Sequence, residues 1–209
     1  MHLEPSIRCP TQVFNRNTFW NIGENRLVDA KRCFSYEVAW KERKVEDVAN
    51  FPESGSWLLI GCCPLLDEAE IELKKRGQIA FKAGPSFFFS WNEKKMEYFF
   101  RPEKVEDLER IFSAWISKGH VSGVISFVGV SSTTKSEKDT MDFFAHFHAH
   151  LFQAARNFSL ACPFMIVTSG AYEGTTMGST SQSFLRSMAL SARLETGLNI
   201  LTMDVMETD

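Results

Sequence analysis

Three groups of residues have types and spacings that can do chemistry. The first is His146, His148 and His150, two residues apart each. On a helix turning about 100° per residue, His146 and His150 share a face one turn apart, a spacing that can chelate a transition metal, while His148 points elsewhere. Two ligands make no site, and no Asp, Glu or Cys partner can be assigned from the sequence. With Phe143, Phe147, Leu151, Ala154 and Phe158 as the core stripe, the pair falls on its margin, a partly exposed helix face, and no metal is expected. The second group is Cys62 and Cys63, which adjoin the start of a helix where the dipole lowers a thiol pKa. No base is near them in sequence, so they read as packing residues. All five Cys (Cys9, Cys33, Cys62, Cys63, Cys162) lack CxxC spacing and are odd in number, so neither a disulfide framework nor a zinc site is suggested. They read as reduced, mostly buried thiols.

The third group tests reductase chemistry. A dinucleotide site needs a strand running into a G-x-G-x-x-G turn, because only glycines let the backbone meet the pyrophosphate at the helix N-terminus. The turn here is Gly61-Cys62-Cys63-Pro64-Leu65-Leu66, with Cys63 and Leu66 at the second and third glycine positions. Their side chains occupy the diphosphate's approach and the helix-to-strand contact, so no cofactor-binding residue is assigned. A short-chain reductase also needs a Ser that holds the carbonyl, a Tyr that donates the proton and a Lys four residues later. Ser169 follows a strand as that Ser does. About a dozen residues on, the sequence reads Ser179-Thr180-Ser181-Gln182-Ser183, with no Tyr or Lys. Tyr172 is too close to the strand, and the residue four later is Thr176. Ser169 therefore reads as ordinary turn chemistry, and no catalytic residue is assigned.

Short apolar runs alternate with helix-period segments from about Gly55 onward, the pattern of an α/β fold: a truncated Rossmann-like, mostly parallel sheet with helices on both faces. Trp57–Ile60 is a continuous run, as in a strand covered on both sides. Leu65–Arg76 is a helix with Leu66, Ala69 and Leu73 on one side and Gly77 at its C′ position. Gln78–Ala83 is a strand, and Phe87–Phe100 is either two strands of a hairpin or one strand and a loop. Pro102 opens a helix near its N1 position, with Val105, Leu108, Ile111, Phe112, Trp115 and Ile116 on one face and Gly119 at its end. Val124–Val130 is a strand, Met141 to about Phe158 a helix and Phe164–Thr168 a strand. Gln182–Glu195 is a helix with Phe184, Leu185, Met188 and Leu194 apolar, and Leu198–Met203 is the last strand.

The 209 residues are 44% hydrophobic and 23% charged with a net charge of -3, which excludes disorder as the main state and leaves no basic excess to track nucleic acid. No apolar run reaches the roughly 18 residues of a membrane helix, and MHLEPSIRCP lacks a signal-peptide layout. The chain reads as soluble and cytoplasmic, without a membrane partner. Nineteen Phe point to a bulky aromatic core. Residues 1–30 are polar and irregular, an extended linker pinned by Phe14, Phe19 and Trp20.

Two stretches bring a family into view. Pro10-Thr11-Gln12-Val13-Phe14-Asn15-Arg16-Asn17-Thr18-Phe19-Trp20 resembles the P-T-Y-P-F-Q-R-x-x-Y-W segment that follows the acyltransferase domain of modular type I polyketide synthases, departing at Gln12, Val13 and Asn15. Tyr36-Glu37-Val38-Ala39-Trp40 is similar to the Y-x-x-x-W strand that opens a ketoreductase region. The later Trp-Leu-Leu, G-V-I-S-F-V-G-V and F-M-I-V-T-S-G-A stretches are similar to its N-terminal structural half.

The resemblance implies residues 1–35 as a post-acyltransferase linker and residues 36–209 as the structural subdomain of the ketoreductase, a half-Rossmann unit that binds no cofactor. NADPH and the Ser, Tyr and Lys belong to a catalytic half, expected beyond Asp209 or in a partner. The partners implied are that catalytic subdomain and the neighbouring acyltransferase domain, and the role implied is a scaffold in polyketide biosynthesis, not an enzyme by itself. Two other readings stay open: a stand-alone short-chain reductase with degenerate motifs, and a carrier-protein or docking module.

Overall fold

A computed structural model describes residues 54–130, 136–171 and 180–205. The linker with Phe14, Phe19 and Trp20, the Tyr36–Trp40 strand, and with them the boundary between residues 1–35 and 36–209, lie outside the described residues. The elements in chain order are β1 (Ser56–Ile60), α1 (Pro64–Lys75), β2 (Ile79–Pro85), β3 (Ser90–Asn92), a 3-10 turn (Glu93–Lys95), β4 (Glu97–Phe100), α2 (Val105–Ile116), β5 (Val121–Ser126), α3 (Glu137–Asn157), β6 (Phe164–Ser169), α4 (Thr180–Thr196) and β7 (Ile200–Val205). No described helix is long and apolar enough to cross a membrane.

One sheet holds the strands in the order β3-β4-β2-β1-β5-β6-β7. Every neighbouring pair is parallel except β3 with β4, where Trp91 faces Tyr98 antiparallel. With β3 set aside, the parallel strands run third, second, first, fourth, fifth, sixth across the sheet, the order of a doubly wound dinucleotide fold. The fold is therefore the Rossmann-like α/β sheet expected, and of the two arrangements open for Phe87–Phe100 it adopts the hairpin. Strand alternation sends Leu58 and Ile60 to one face and Leu59 to the other. The first face is covered by α2, α3 and α4, with Phe112, Trp115, Phe144, Phe147, Leu151 and Leu185 all fully buried. On the second, α1 lays Leu66 and Leu73 against Leu59 and Ala80.

Local chemistry explains the element ends. Ser136 caps α3, its hydroxyl accepting from Asp139 N at 3.2 Å, so this helix starts at Glu137, a turn earlier than the expected Met141. Pro102 does not open α2: the carboxylate of Asp107, in the first turn, takes the Arg101 guanidinium at 2.8 Å through both Oδ2 and Oδ1 and the Arg101 N–H at 3.1 Å. That pair holds residues 101–104 as a turn before the helix begins at Val105. The guanidinium bonds hold the Asp107 carboxyl below its ordinary pKa, more than burial raises it. Gly77 stands just past the cap of α1 at φ 72°, where a side chain would be strained.

Four further boundaries are corrected. The expected Val124–Val130 strand is Val121–Ser126, and Phe127–Val130 is a turn closed by Val130 N to Phe127 O at 3.0 Å. The last strand is shifted to Ile200–Val205, and its face alternates. α4 runs from Thr180 to Thr196, not Gln182 to Glu195, with Leu185 and Ala189 buried and Leu194 half-exposed. β2 extends to Pro85.

Candidate functional site

In a doubly wound sheet, ligands enter outside the carboxyl ends of the strands where the strand order reverses, here between β1 and β5. β1 ends at Ile60, whose carbonyl accepts from Phe127 N at 2.7 Å, and Gly61 N donates to Ala83 O at 2.9 Å. Gly61 sits at φ 141°, and a Cβ there would stand 3.1 Å from Phe127 Cβ. The chain leaving β5 thus lies directly across the turn. Phe127 and Val128 are buried, Phe127 packing with Leu59 and Leu66.

The first turn of α1 does not fit the diphosphate of a dinucleotide. Its N1 residue is Pro64, which has no N–H to offer. Leu66 N already donates to Cys63 O at 3.1 Å, and the Leu66 side chain fills the helix-to-sheet contact. Asp67 places a carboxylate in the same turn, where a phosphate would meet like charge. Cys63 is half-buried at the N-cap and makes no capping bond. Burial pushes its thiol pKa up, more than the nearby Leu66 and Leu65 N–H groups pull it down. It packs beside the Leu59 cluster, whereas Cys62 is exposed, contrary to the reading of mostly buried thiols.

Ser169 closes β6 and is half-buried. Its N–H donates to Gln182 Oε1 at 3.2 Å, and Gln182 Nε2 donates to the Gly129 carbonyl. One buried amide therefore ties the ends of β5 and β6 together where a reductase would hold its substrate. Gly129 allows this approach, since a Cβ would come within 2.6 Å of the Val167 carbonyl. Beside it, Asp204 Oδ1 accepts from Thr168 Oγ1 at 2.7 Å and from Ala171 N at 3.0 Å. Tyr172, Thr176 and Ser179 lie outside the described residues. Sequence reasoning missed Gln182 and Asp204, and the only signal was a polar side chain in a helix's first turn and another inside an apolar strand.

The three histidines separate. His146 is exposed, and His150 is half-buried with Nδ1 donating to Pro102 O at 3.2 Å. His148, expected merely to point elsewhere, is fully buried. Its Nδ1–H donates to Phe144 O at 2.9 Å, so Nε2 is the acceptor for the Ser126 hydroxyl at 3.3 Å. Burial lowers its pKa to about 4, only partly offset by the Phe144 carbonyl. Ser126 and His148 have the composition of an activated nucleophile, but both are fully buried, with Phe144, Phe147 and Phe152 around the ring. No substrate can reach them in this state. Among the described residues, no group of three His, Cys, Asp or Glu is placed to hold a metal.

No family model matches the chain, and no curated protein does. Solved structures do. The chain is similar to a multidomain structure with adenylation, ketoreductase and pseudo Asub domains from a keto acid-selecting NRPS module, at 14% identity and a TM-score of 0.61 over 73% of this chain and 13% of that one. It is similar to a short chain dehydrogenase from Mycobacterium smegmatis, at 8% identity and TM-score 0.54, covering 75% of this chain and 79% of that one. It is also similar to an N-terminal ketoreductase from the macrolactin assembly line, at 13% identity and TM-score 0.52 over 74% and 33% of the two chains. The chain thus spans a small part of the module and about a third of the macrolactin ketoreductase. At these identities the likeness shows the fold alone, a Rossmann-like α/β sheet.

Proposed function

We propose that this chain is the structural, non-catalytic half of a polyketide synthase ketoreductase, preceded by a post-acyltransferase linker, and that it supports an NADPH-dependent catalytic half in polyketide biosynthesis. The observation that carries this reading is the filled switch point. Phe127 lies across Gly61, Leu66 fills the helix-to-sheet contact and Gln182 bridges β5 and β6. A sheet of this order whose ligand end is closed by its own side chains retains the rigidity of the fold without its chemistry. The likeness to ketoreductases of an NRPS module and the macrolactin assembly line supports the same assignment. Its proposed partners are the catalytic ketoreductase half and the acyltransferase domain, and its proposed setting is the cytoplasm.

The short chain dehydrogenase, which matches over most of its own length, favours a second reading, a stand-alone reductase with degenerate motifs. Titration calorimetry with NADPH separates the two. The scaffold reading expects no saturable binding up to about 1 mM cofactor, and a reductase half that gains activity and solubility when produced in cis with this chain. Binding in the micromolar range, or ketone reduction that is lost in Ser169→Ala, would replace it with the reductase reading.

A further inference from the structure

The second face of the sheet is only half covered among the described residues. α1 lies over β1 and β2, while the crossovers from β5 to β6 and from β6 to β7 both run over the first face, through α3 and α4. Strand register sets what is left in the open. Leu59, Ile125, Met165 and Leu201 form one row across β1, β5, β6 and β7, and Val167 beside Met203 belongs to the next. Exposure grows along the first row, from Leu59 at 0% through half-buried Ile125 and Met165 to Leu201 at 42%, and Met203 is 49% exposed. Ile125 and Met165 pack against the Leu59 cluster, so the patch continues an existing core outward. β5, β6 and β7 turn no ionisable side chain to this face: Asp204, their one carboxylate, is on the other, bonded to Thr168.

Size and shape select the occupant. The exposed parts of these side chains amount to a few hundred Å², short of the roughly 800 Å² per partner that a stable dimer buries. A second copy laid face to face is therefore a poor fit. β5 to β7 span about 10 Å, and their six residues each run about 20 Å, the footprint of one helix of about 13 residues. A helix there would lie alongside α1 at about the 10 Å between axes of packed helices. A further right-handed crossover outward from β7 would put its helix back on the first face, so the winding of this sheet does not fill the place. A free helix that buries so little does not repay the freedom lost on association, and it has to be carried by a domain held nearby.

We propose that this patch docks one amphipathic helix of a tethered neighbouring domain, its aliphatic, uncharged face laid on Ile125, Met165, Leu201 and Met203. The patch is on a face of the sheet and not at the Gly61 switch point, so its occupancy and NADPH binding are separate questions.

The test extends the full chain past Asp209 with a Gly/Ser linker of about 15 residues, which reaches about 20 Å, and a helix built from Leu and Ala on one face and Glu and Lys on the other. Oxidation of Met203 by hydrogen peroxide, followed by peptide mass spectrometry, reports the cover, with Met96, 41% exposed, as the internal reference. The added helix is expected to slow Met203 at least about fivefold and to leave Met96 unchanged. Leu201→Glu should abolish the protection, and Leu194→Glu on α4 should keep it. No protection, or equal protection by a helix whose Leu are replaced by Gln, would overturn the proposal. So would a Met203 already as slow as a buried methionine in the unextended chain, which would place the cover within the chain itself. Protection of the unextended chain that rises with its concentration would give the patch to a second copy and would also overturn it.

Discussion

The two faces of the sheet are made by the same strands, yet they differ in what covers them. Beneath α2, α3 and α4, Phe100, Phe112, Trp115, Phe144, Phe147 and Phe164 are completely enclosed. On the other face α1 is the one described helix, packed over β1 and β2, and the core is the smaller set Leu59, Leu66, Leu73, Ala80, Phe127 and Val167. The cause lies in the connections. β2 returns to its parallel neighbour β4 through the β3 hairpin in place of a helix, so the second face loses a covering element. Strand periodicity decides which residues share a face, but the crossovers decide whether that face becomes a core.

The largest expected effect breaks the richer face. Phe147 stacks between Phe100 at 5.6 Å and Phe143 at 6.1 Å between ring centroids and meets His148 edge-on. Phe147→Ala should cost about 4 kcal/mol, because the surrounding rings are too constrained to collapse into the space. Leu73→Ala on the other face should cost about 2 kcal/mol, since Leu73 lies at the rim and is 8% exposed. Urea denaturation of both variants checks the ranking. Equal losses would mean that the second face is as well packed as the first.

The next effect is an acid sensitivity confined to the richer face. His148 titrates at about 4 when folded against an ordinary value of 6.5, so the unfolded chain binds the proton more readily between these values. Its contribution to stability is complete above pH 6.5 and is lost as the pH falls toward 4, reaching about 3 kcal/mol. Asp107 acts lower. Its folded pKa is depressed from 3.8 by Arg101, so its stabilisation is present above pH 3.8 and declines only below it. Denaturation midpoints measured between pH 7 and pH 4 should therefore fall in the native chain and flatten in His148→Gln. A native profile that is already flat would remove the burial of a neutral His148.

How much of this was legible in the sequence depended on whether a residue's role was local. The apolar period of α2, the Gly77 end of α1 and the continuous Trp57–Ile60 run are local signals, and the structure has them as the α2 core face, the α1 end and the strand β1, in which Trp57 is half-buried. The Gly61–Leu66 turn was legible for the same reason: Pro64 opens α1, and Leu66 fills the helix-to-sheet contact. Phe127–Val130 misled because an apolar run reads as strand, whereas here it is buried by crossing the Gly61 turn. α3 misled because it is enclosed on two sides. Beside the stripe that holds Phe147, Leu151 and Ala154, a second made of Phe144, His148, Phe152 and Ala155 is also buried, and Phe143 is left half-exposed. Gln182 lies 53 residues from Gly129 and 13 from Ser169, and no local pattern announces a bridge over such distances.

The smallest expected effect concerns β7, where the contrast between faces is compressed into adjacent residues. Ile200 is 1% exposed toward α4, while Leu201 and Met203 on the opposite face are 42% and 49% exposed. Replacing both by threonine keeps a side chain suited to a strand and removes apolar surface that is already largely in water. Leu201→Thr/Met203→Thr should therefore change stability by less than about 0.5 kcal/mol, while Ile200→Ala should cost about 3 kcal/mol. Urea midpoints of the two variants measure the difference within one strand. If the double variant instead lost about 2 kcal/mol or more, Leu201 and Met203 would have to be covered in solution, and the second face would be a buried surface whose cover lies beyond α1.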